Sequence, residues 1–277
     1  MLISKIKKMI SIISEKRLTT VAGAWVYYFL ISAVPIAFLF VTAFGALGID
    51  VTKELISRFP IEFRSAGQAI ANTAKNASDS VTIFFVGTVI FSCTTLLSQM
   101  SKDGDFIYGV QSKTRRGIFR RLWAIVALGA LFILFLALAI IFVLSSTLSI
   151  KWYLFSRLQI TLTILGFLFI IIFSYAIILV LNIYICPHKI KFSEIALGSL
   201  ISLFIMVLGT IFFVLYVRFF ASFNAFYGSL ASIIVFLLWT YILMIGLALG
   251  VIINDQIIQK SWSVHYVKNP KLYQILR

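Results

Sequence analysis

The sequence predicts an all-α fold, a polytopic membrane bundle of six transmembrane helices with both termini in the cytoplasm. Three observations lead to this prediction. Of the 277 residues, 61% are hydrophobic and 12% are charged, whereas a soluble domain carries roughly 25% charged residues. The apolar residues are grouped in long charge-free stretches. The Lys and Arg residues are distributed unevenly between the segments that join those stretches.

Six charge-free stretches are long enough to cross a membrane, because about 20 apolar residues span a hydrocarbon core of about 30 Å. They are Leu18–Ile49, Ser80–Ser101, Leu122–Ile150, Leu158–His188, Ile195–Val217 and Phe219–Asn254. They are apolar all round, which favours helices over barrel strands. The predicted spans are about 21–48, 80–101, 122–148, 160–185, 195–217 and 229–253, within a six-helix membrane domain over 18–254.

Basic residues predict the orientation. With six spans, 17 Lys and Arg residues fall on the side of the termini and 7 on the other side, and the basic side of a membrane protein is the cytoplasmic one. The net charge of +15 therefore indicates topology and attraction to anionic lipid head groups. We expect no nucleic-acid partner, because none of the loops is long enough to form a soluble binding platform.

The segments outside the spans have their own patterns. Residues 1–17 form a predicted cytoplasmic amphipathic helix, with Leu2, Ile6 and Ile13 on its apolar face. The outside loop, 50–79, is either a pair of short helices over the bundle or a solvated connector, and both interpretations stay open. Residues 255–277 are a predicted cytoplasmic tail.

Catalytic parts are scarce in this chain. It has two histidines, and no His, Cys or carboxylate spacing is typical of a metal site. Asp103 and Asp105 lie in a predicted basic loop, where local charge balance is favoured over magnesium binding. We therefore expect no enzyme activity, no catalytic residue, no metal and no cofactor. The predicted spans contain no Asp, Glu, Lys or Arg, which argues against a strongly ion-coupled pump.

Polar and aromatic residues of the spans give candidate positions for an amphiphile's path. Each also has a simpler interpretation, as a helix-packing residue or as a side chain at the lipid surface. For Arg218, the functional interpretation is binding of an anionic head group, and the simpler one is extension of the side chain to the outer head groups. The candidate lining is Tyr27, Tyr28, Ser32, Pro35, Tyr216, Arg218, Tyr227, Ser229 and Trp239.

Two further sets complete the candidates. Basic residues and one tyrosine on the cytoplasmic side could contact lipid head groups. Small residues let helices approach closely. The head-group candidates are Arg115, Arg116, Arg120, Arg121 and Tyr184, and the packing candidates are Gly23, Gly198, Gly246 and Gly250.

An ordered set of phrases resembles the YihY/BrkB family of bacterial inner-membrane proteins over nearly the whole chain. The phrases lie at 22–35, at 107–110, at 181–187 followed by Gly198, and at 216–254, where Tyr227-Gly-Ser229 precedes Leu237-Leu-Trp-Thr-Tyr241. Two departures stand out. Ile252 occupies the place where members often carry a Glu, and Asp105 replaces a common Asn.

The resemblance implies a multi-pass protein of the bacterial inner membrane. Members have carried the label ribonuclease BN, and others have been linked to virulence or serum resistance. For relatives, a role in moving lipids or lipid-linked glycans has been proposed. The expected function is thus a transporter or flippase-like factor for a lipid or lipid-linked envelope amphiphile. The alternative is a membrane scaffold of an envelope complex, with a homo-oligomer or an envelope protein as partner.

Overall fold

The computed structural model describes residues 2–46, 68, 72–73, 79–110, 121–134, 156–188, 192–219 and 230–268, and every regular element among them is an α-helix. The helices are α1 (Leu2–Glu15), α2 (Leu18–Ala46), α3 (Asp79–Ile107), α4 (Arg121–Leu134), α5 (Ser156–Ile185), α6 (Phe192–Phe219) and α7 (Leu230–Lys268). Five of them, α2, α3, α5, α6 and α7, contain an apolar segment long enough to cross a membrane. The prediction of an all-α polytopic membrane bundle is confirmed.

The structure describes only part of the predicted third span, 122–148. Its first part forms α4, which is apolar over its described residues, and residues 135–155 lie outside the described part. The C-terminal ends of α3 and α5 meet, because Gly104 packs on Ile185. The number of spans and their orientation stay predictions.

Two helices continue beyond the ends that the charge pattern predicts. α3 passes the predicted end at 101 and reaches Ile107, and α7 passes the predicted end at 253 and reaches Lys268. The predicted ends were placed at the first ionisable residues. Such residues are compatible with a helix when they find partners, and Asp103 and Asp255 both do.

The N-terminal helix α1 is joined to α2 by a very tight turn. Arg17 has a φ of 49°, and its amide donates to the Ser14 carbonyl at 3.1 Å while its carbonyl accepts from the Val21 amide at 3.0 Å. Ile12 and Ile13 pack against the core of the bundle, whereas Ile10 is 60% exposed. α1 is thus attached to the bundle by one edge.

The core and the outer surface of the bundle differ sharply. The most extensive contacts join α6 to α7 and α2 to α3, and α7 also packs on α2. The buried core includes Trp25, Met100, Ile185 and Leu247. Large apolar side chains also cover the outside of α3, α5 and α6, as expected for surfaces that face lipid.

Candidate functional site

Polar side chains meet toward one end of the bundle, where four helix ends pack around the C-terminal half of α7. These are the start of α2, the ends of α3 and α5 and the start of α6. We call this group the polar cluster: Lys16, Trp25, Gln99, Asp103, Asp105, Tyr108, Asn182, Asn254, Asp255 and Gln259.

The first part of the polar cluster is centred on Asp103 of α3. The indole Nε1 of Trp25 donates to its Oδ2 atom at 2.7 Å, and the Gln99 side chain, one turn earlier on α3, donates to its Oδ1 atom at 3.0 Å. Trp25 is completely buried. A carboxylate that accepts two such bonds has much of its desolvation cost offset, and it fixes the α2–α3 pair in one register.

The second part is an ion pair between the α1–α2 turn and α7. Lys16 Nζ lies 3.5 Å from Asp255 Oδ2, and it also donates to the Ile107 carbonyl at the end of α3. Gln259 donates to the other carboxylate oxygen of Asp255 at 2.9 Å. The side chain of Asp255 is 2% exposed and that of Lys16 is 16% exposed. One lysine therefore connects three elements.

The third part lies where α6 crosses α7 beside α5. Asn254 donates to the Asn182 Oδ1 atom at 3.4 Å, and Asn182 donates to the Ile178 carbonyl at 3.0 Å. A Cβ atom on Gly198 would clash with Asn254 Oδ1 and would lie 2.8 Å from the Gly250 carbonyl oxygen. The two glycines thus let α6 and α7 approach closely, and Gly198 leaves the space that the Asn254 side chain occupies.

Tyr108 closes the polar cluster just beyond the end of α3. Gly109 has a φ of +67°, and the Val110 and Gly109 amides donate to the Asp105 and Phe106 carbonyls at 2.9 and 3.2 Å. This is a Schellman cap, and it turns the chain so that the Tyr108 ring is buried beside Cys186. Burial raises the pKa of the Tyr108 hydroxyl far above its usual range, so this group is a neutral phenol at physiological pH.

The comparisons with known proteins decide the family. The family model for "Virulence factor BrkB" matches residues 9–274, which is nearly the whole chain. The chain belongs to the BrkB family. It is 26% identical over 272 residues to a UPF0761 membrane protein of Photobacterium profundum, an alignment that covers 91% of this chain and 80% of that protein. No solved structure matches the chain.

The structure places the α2 candidates of this BrkB-family chain on different sides of the helix. Ser32 and Pro35 are buried, and Ser32 donates to the Phe29 carbonyl of its own helix at 2.8 Å. Tyr27 is 60% exposed, and its ring meets that of Tyr28 edge-on, with centroids 5.2 Å apart. The buried stripe packs on α3, whereas Tyr27 faces outward from the bundle.

The candidates of α6 and α7 are partly described. Trp239 Nε1 donates to Thr210 Oγ1 at 3.3 Å, which joins α7 to α6, and Tyr216 is 38% exposed. Arg218 lies in the last turn of α6, but its side chain is outside the described part, as are Tyr227 and Ser229. The expected site made by Arg218 with Tyr216 and Tyr227 stays a prediction.

The candidate head-group contacts and the candidate packing glycines lie in different environments. Arg121 is exposed at the start of α4, and Tyr184 packs against the core, while Arg115, Arg116 and Arg120 lie outside the described residues. Gly246 and Gly250 face α6, with Met206 and Ser202 as their neighbours, and Gly198 faces α7. By contrast, a Cβ atom on Gly23 would meet no described atom within 4 Å.

Sequence reasoning missed the polar cluster, because it took Asp103, Asp105 and Asp255 as residues outside the spans, in a loop and in a tail. The structure places all three in helices, with Asp105 and Asp255 buried. A usable signal was present. Gln99 precedes Asp103 by four residues and Gln259 follows Asp255 by four, a spacing that pairs side chains on a helix.

Metal ligands are not assembled by these carboxylates. Across the described ranges, no three His, Cys, Asp or Glu side chains are grouped as they would be to hold a metal ion. What the polar cluster offers is a set of hydrogen-bonded carboxylates, amides and one lysine at the end of an apolar bundle.

Proposed function

We propose that this protein is a transporter or flippase-like factor for a lipid or lipid-linked envelope amphiphile in the bacterial inner membrane, with both termini in the cytoplasm. The observation that carries the proposal is the polar cluster. Polar and ionisable groups at membrane depth are costly, and in membrane proteins they mark substrate and ion pathways. Here they connect α2, α3, α5 and α7, and a site shared by several helices changes shape when those helices move.

The apolar surface of the bundle supports the same proposal. A shallow groove on the outer side of α3 is lined by Ile83, Phe84, Gly87, Thr88 and Phe91. The groove ends about 18 Å from Asp103 along the helix axis, at 1.5 Å per residue. An acyl chain can lie along this lipid-facing side of α3, whereas Asp103 faces α2 on the inner side of the same helix.

The scaffold alternative has lost its most specific feature. In the sequence, Gly246 and Gly250 offered a small-residue face for a partner helix. In the structure these glycines contact α6 of the same chain, so they are occupied by internal packing. A scaffold would have to use another face.

An enzymatic role is not part of the proposal. The two histidines and the few carboxylates provide no pattern for activating water against a phosphodiester, which the older ribonuclease label would require. Incubation of the purified protein with structured RNA and magnesium checks this point. Robust cleavage that survives controls for contaminating nucleases would contradict it.

Reconstitution tests the transport proposal directly. The purified protein is placed in vesicles whose phospholipid carries a fluorescent reporter, and the share of reporter that an impermeant quencher reaches is followed. We expect that share to rise above the outer-leaflet fraction in vesicles that contain the protein. Asp103→Asn should reduce the rate, and Lys102→Gln, which changes the neighbouring exposed charge, serves as the matched control.

A cellular experiment covers substrates that the reporter does not represent. The gene is deleted, alone and together with any paralogue, and the phospholipids and glycolipids of each leaflet and envelope layer are quantified. Unchanged distributions, together with inactive vesicles, would rule the proposal out. Cross-linking to a stoichiometric partner in the same cells would instead favour the scaffold.

A further inference from the structure

Asp255 is an ionisable side chain buried in α7 whose counter-charge comes from a different element. Its side chain is 2% exposed, and Lys16 Nζ, from the α1–α2 turn, lies 3.5 Å from Oδ2. Its other described hydrogen bonds come from the neutral amides of Gln259, at 2.9 Å, and Gln256, at 3.5 Å. Just beyond the end of α3, the Tyr108 hydroxyl is a neutral phenol beside it, because burial above all, and Asp255 to a lesser extent, raise its pKa. Within the part of the chain that the structure describes, Lys16 is therefore the cation that balances this carboxylate.

The position of Lys16 depends on the docking of the α1–α2 turn against the bundle. Lys16 is held by the docking of Ile12 and Ile13 on the core and by its bond to the Ile107 carbonyl. If the turn leaves, Asp255 keeps its place in α7 but loses its cation. A buried carboxylate without a counter-charge is strongly disfavoured, and it takes up a proton instead.

We infer that Asp255 is a proton-binding site whose occupancy is linked to the docking of the α1–α2 turn. In the docked state the carboxylate is ionised and bound to Lys16. In the undocked state one proton from water neutralises Asp255, and Lys16 carries its charge into the aqueous phase. The docked state is favoured at higher pH and is lost as the pH falls through the pKa of Asp255. The inference holds whatever the transported substrate is.

Hydrogen–deuterium exchange of the full-length purified protein in detergent tests this linkage. The amides of residues 12–21 are followed between about pH 8 and pH 5, with correction for the intrinsic pH dependence of exchange. We expect exchange in the wild type to rise on acidification. Asp255→Asn should raise it about tenfold at high pH and remove its pH dependence. Glu15→Gln, which removes an exposed carboxylate from the adjacent turn, should leave that dependence intact.

A second set of variants separates the ion pair from general damage to the fold. Lys16→Met and the double variant Lys16→Met with Asp255→Asn are measured in the same way, with Lys7→Met as the exposed control. We expect the double variant to exchange no faster than either single variant, because both remove the same interaction. Multiplying effects, or an Asp255→Asn protein that keeps the wild-type pH dependence, would overturn the inference.

Discussion

At the scale of single residues, the bond from Trp25 to Asp103 combines packing with charge. The indole is fully buried and donates to a carboxylate at 2.7 Å. A phenyl ring in its place keeps most of the apolar contact but supplies no donor. The carboxylate oxygen then loses a partner in a partly buried setting, which is costlier than the loss of an exposed bond.

Trp25→Phe should therefore lower the free energy of unfolding by about 1–3 kcal/mol. The midpoint of thermal unfolding of the purified protein measures this. Trp123 of α4 is 66% exposed, so Trp123→Phe is the matched control and should have little effect. Equal effects of the two substitutions would show that the hydrogen bond contributes nothing.

The glycines of the α6–α7 crossing give a second prediction at this scale. Gly250→Ala introduces a methyl group that clashes with Ser202 Oγ and lies 2.7 Å from the Gly198 carbonyl oxygen. Overpacking of this kind costs about 1–3 kcal/mol. Gly23→Ala meets open space and should be neutral or stabilising, because Ala is preferred to Gly within a helix. Thermal unfolding of both variants checks the contrast, which the opposite ranking would contradict.

At the scale of elements, two turns at helix ends contain a residue with a positive φ, and the residue type differs between them. Arg17, in the turn between α1 and α2, has a positive φ, which costs a residue with a Cβ atom roughly 1 kcal/mol relative to Gly. Gly109 occupies the equivalent position of the Schellman cap on α3 without that cost. The two turns therefore respond in opposite ways to substitution.

Arg17→Gly should leave the free energy of unfolding unchanged or raise it by up to about 1 kcal/mol. The gain is limited because glycine also increases the conformational entropy of the unfolded chain. Gly109→Ala should lower it by about 1 kcal/mol, because a Cβ atom is strained at a φ of +67°. Chemical unfolding in detergent, with Gly129→Ala as a control in open space, compares them. A stabilised Gly109→Ala protein would be inconsistent with the cap.

The charge pattern predicts which segments are helical far better than where the helices end. Hydropathy alone places α2, α3, α5, α6 and α7, since lipid forces each apolar stretch to pair its own backbone groups. It ends α3 and α7 too early, because a carboxylate with partners from other helices is compatible with a buried helix. Those partners are Trp25 for Asp103 and Lys16 for Asp255. They are 78 and 239 residues distant along the chain, and no local pattern identifies them.

At the scale of the whole molecule, the bundle has two distinct ends. The polar cluster lies at the end that holds Lys16 and the C-terminus of α3, and the start of α3 lies at the opposite end. The basic bias of the sequence predicts that the first end faces the cytoplasm. The glycine contacts bring α6 close to α7 there, and the asparagine contact joins α7 to α5. The identity of the proposed amphiphile has no signature in the sequence, because an amphiphile is bound mainly through shape and apolar contact.

Cysteine labelling in intact cells tests the orientation. Single cysteines at Ser14 and Lys102, exposed at the polar-cluster end, should react with a membrane-permeant maleimide only. A cysteine at Ser80, exposed at the start of α3, should react with an impermeant reagent added from outside. The natural Cys93 and Cys186 are buried and give the background in the parent protein. Labelling of Ser14→Cys by the impermeant reagent would reverse the assigned topology.

The length of α7 has a mechanical consequence. With 39 residues, it is a rod about 58 Å long, about twice the thickness of the hydrocarbon core. A tilt of about 10° around its middle displaces each tip by about 5 Å, given a rise of 1.5 Å per residue. Asp255 and Asn254 lie on the arm of this lever that reaches the polar-cluster end. Because Asp255 lies only about 9 Å past the middle, at 1.5 Å per residue, the same tilt moves it by about 1.6 Å. A displacement of the opposite tip therefore reaches the place where Lys16 is held reduced about threefold, so this contact is shielded from movements of the far arm.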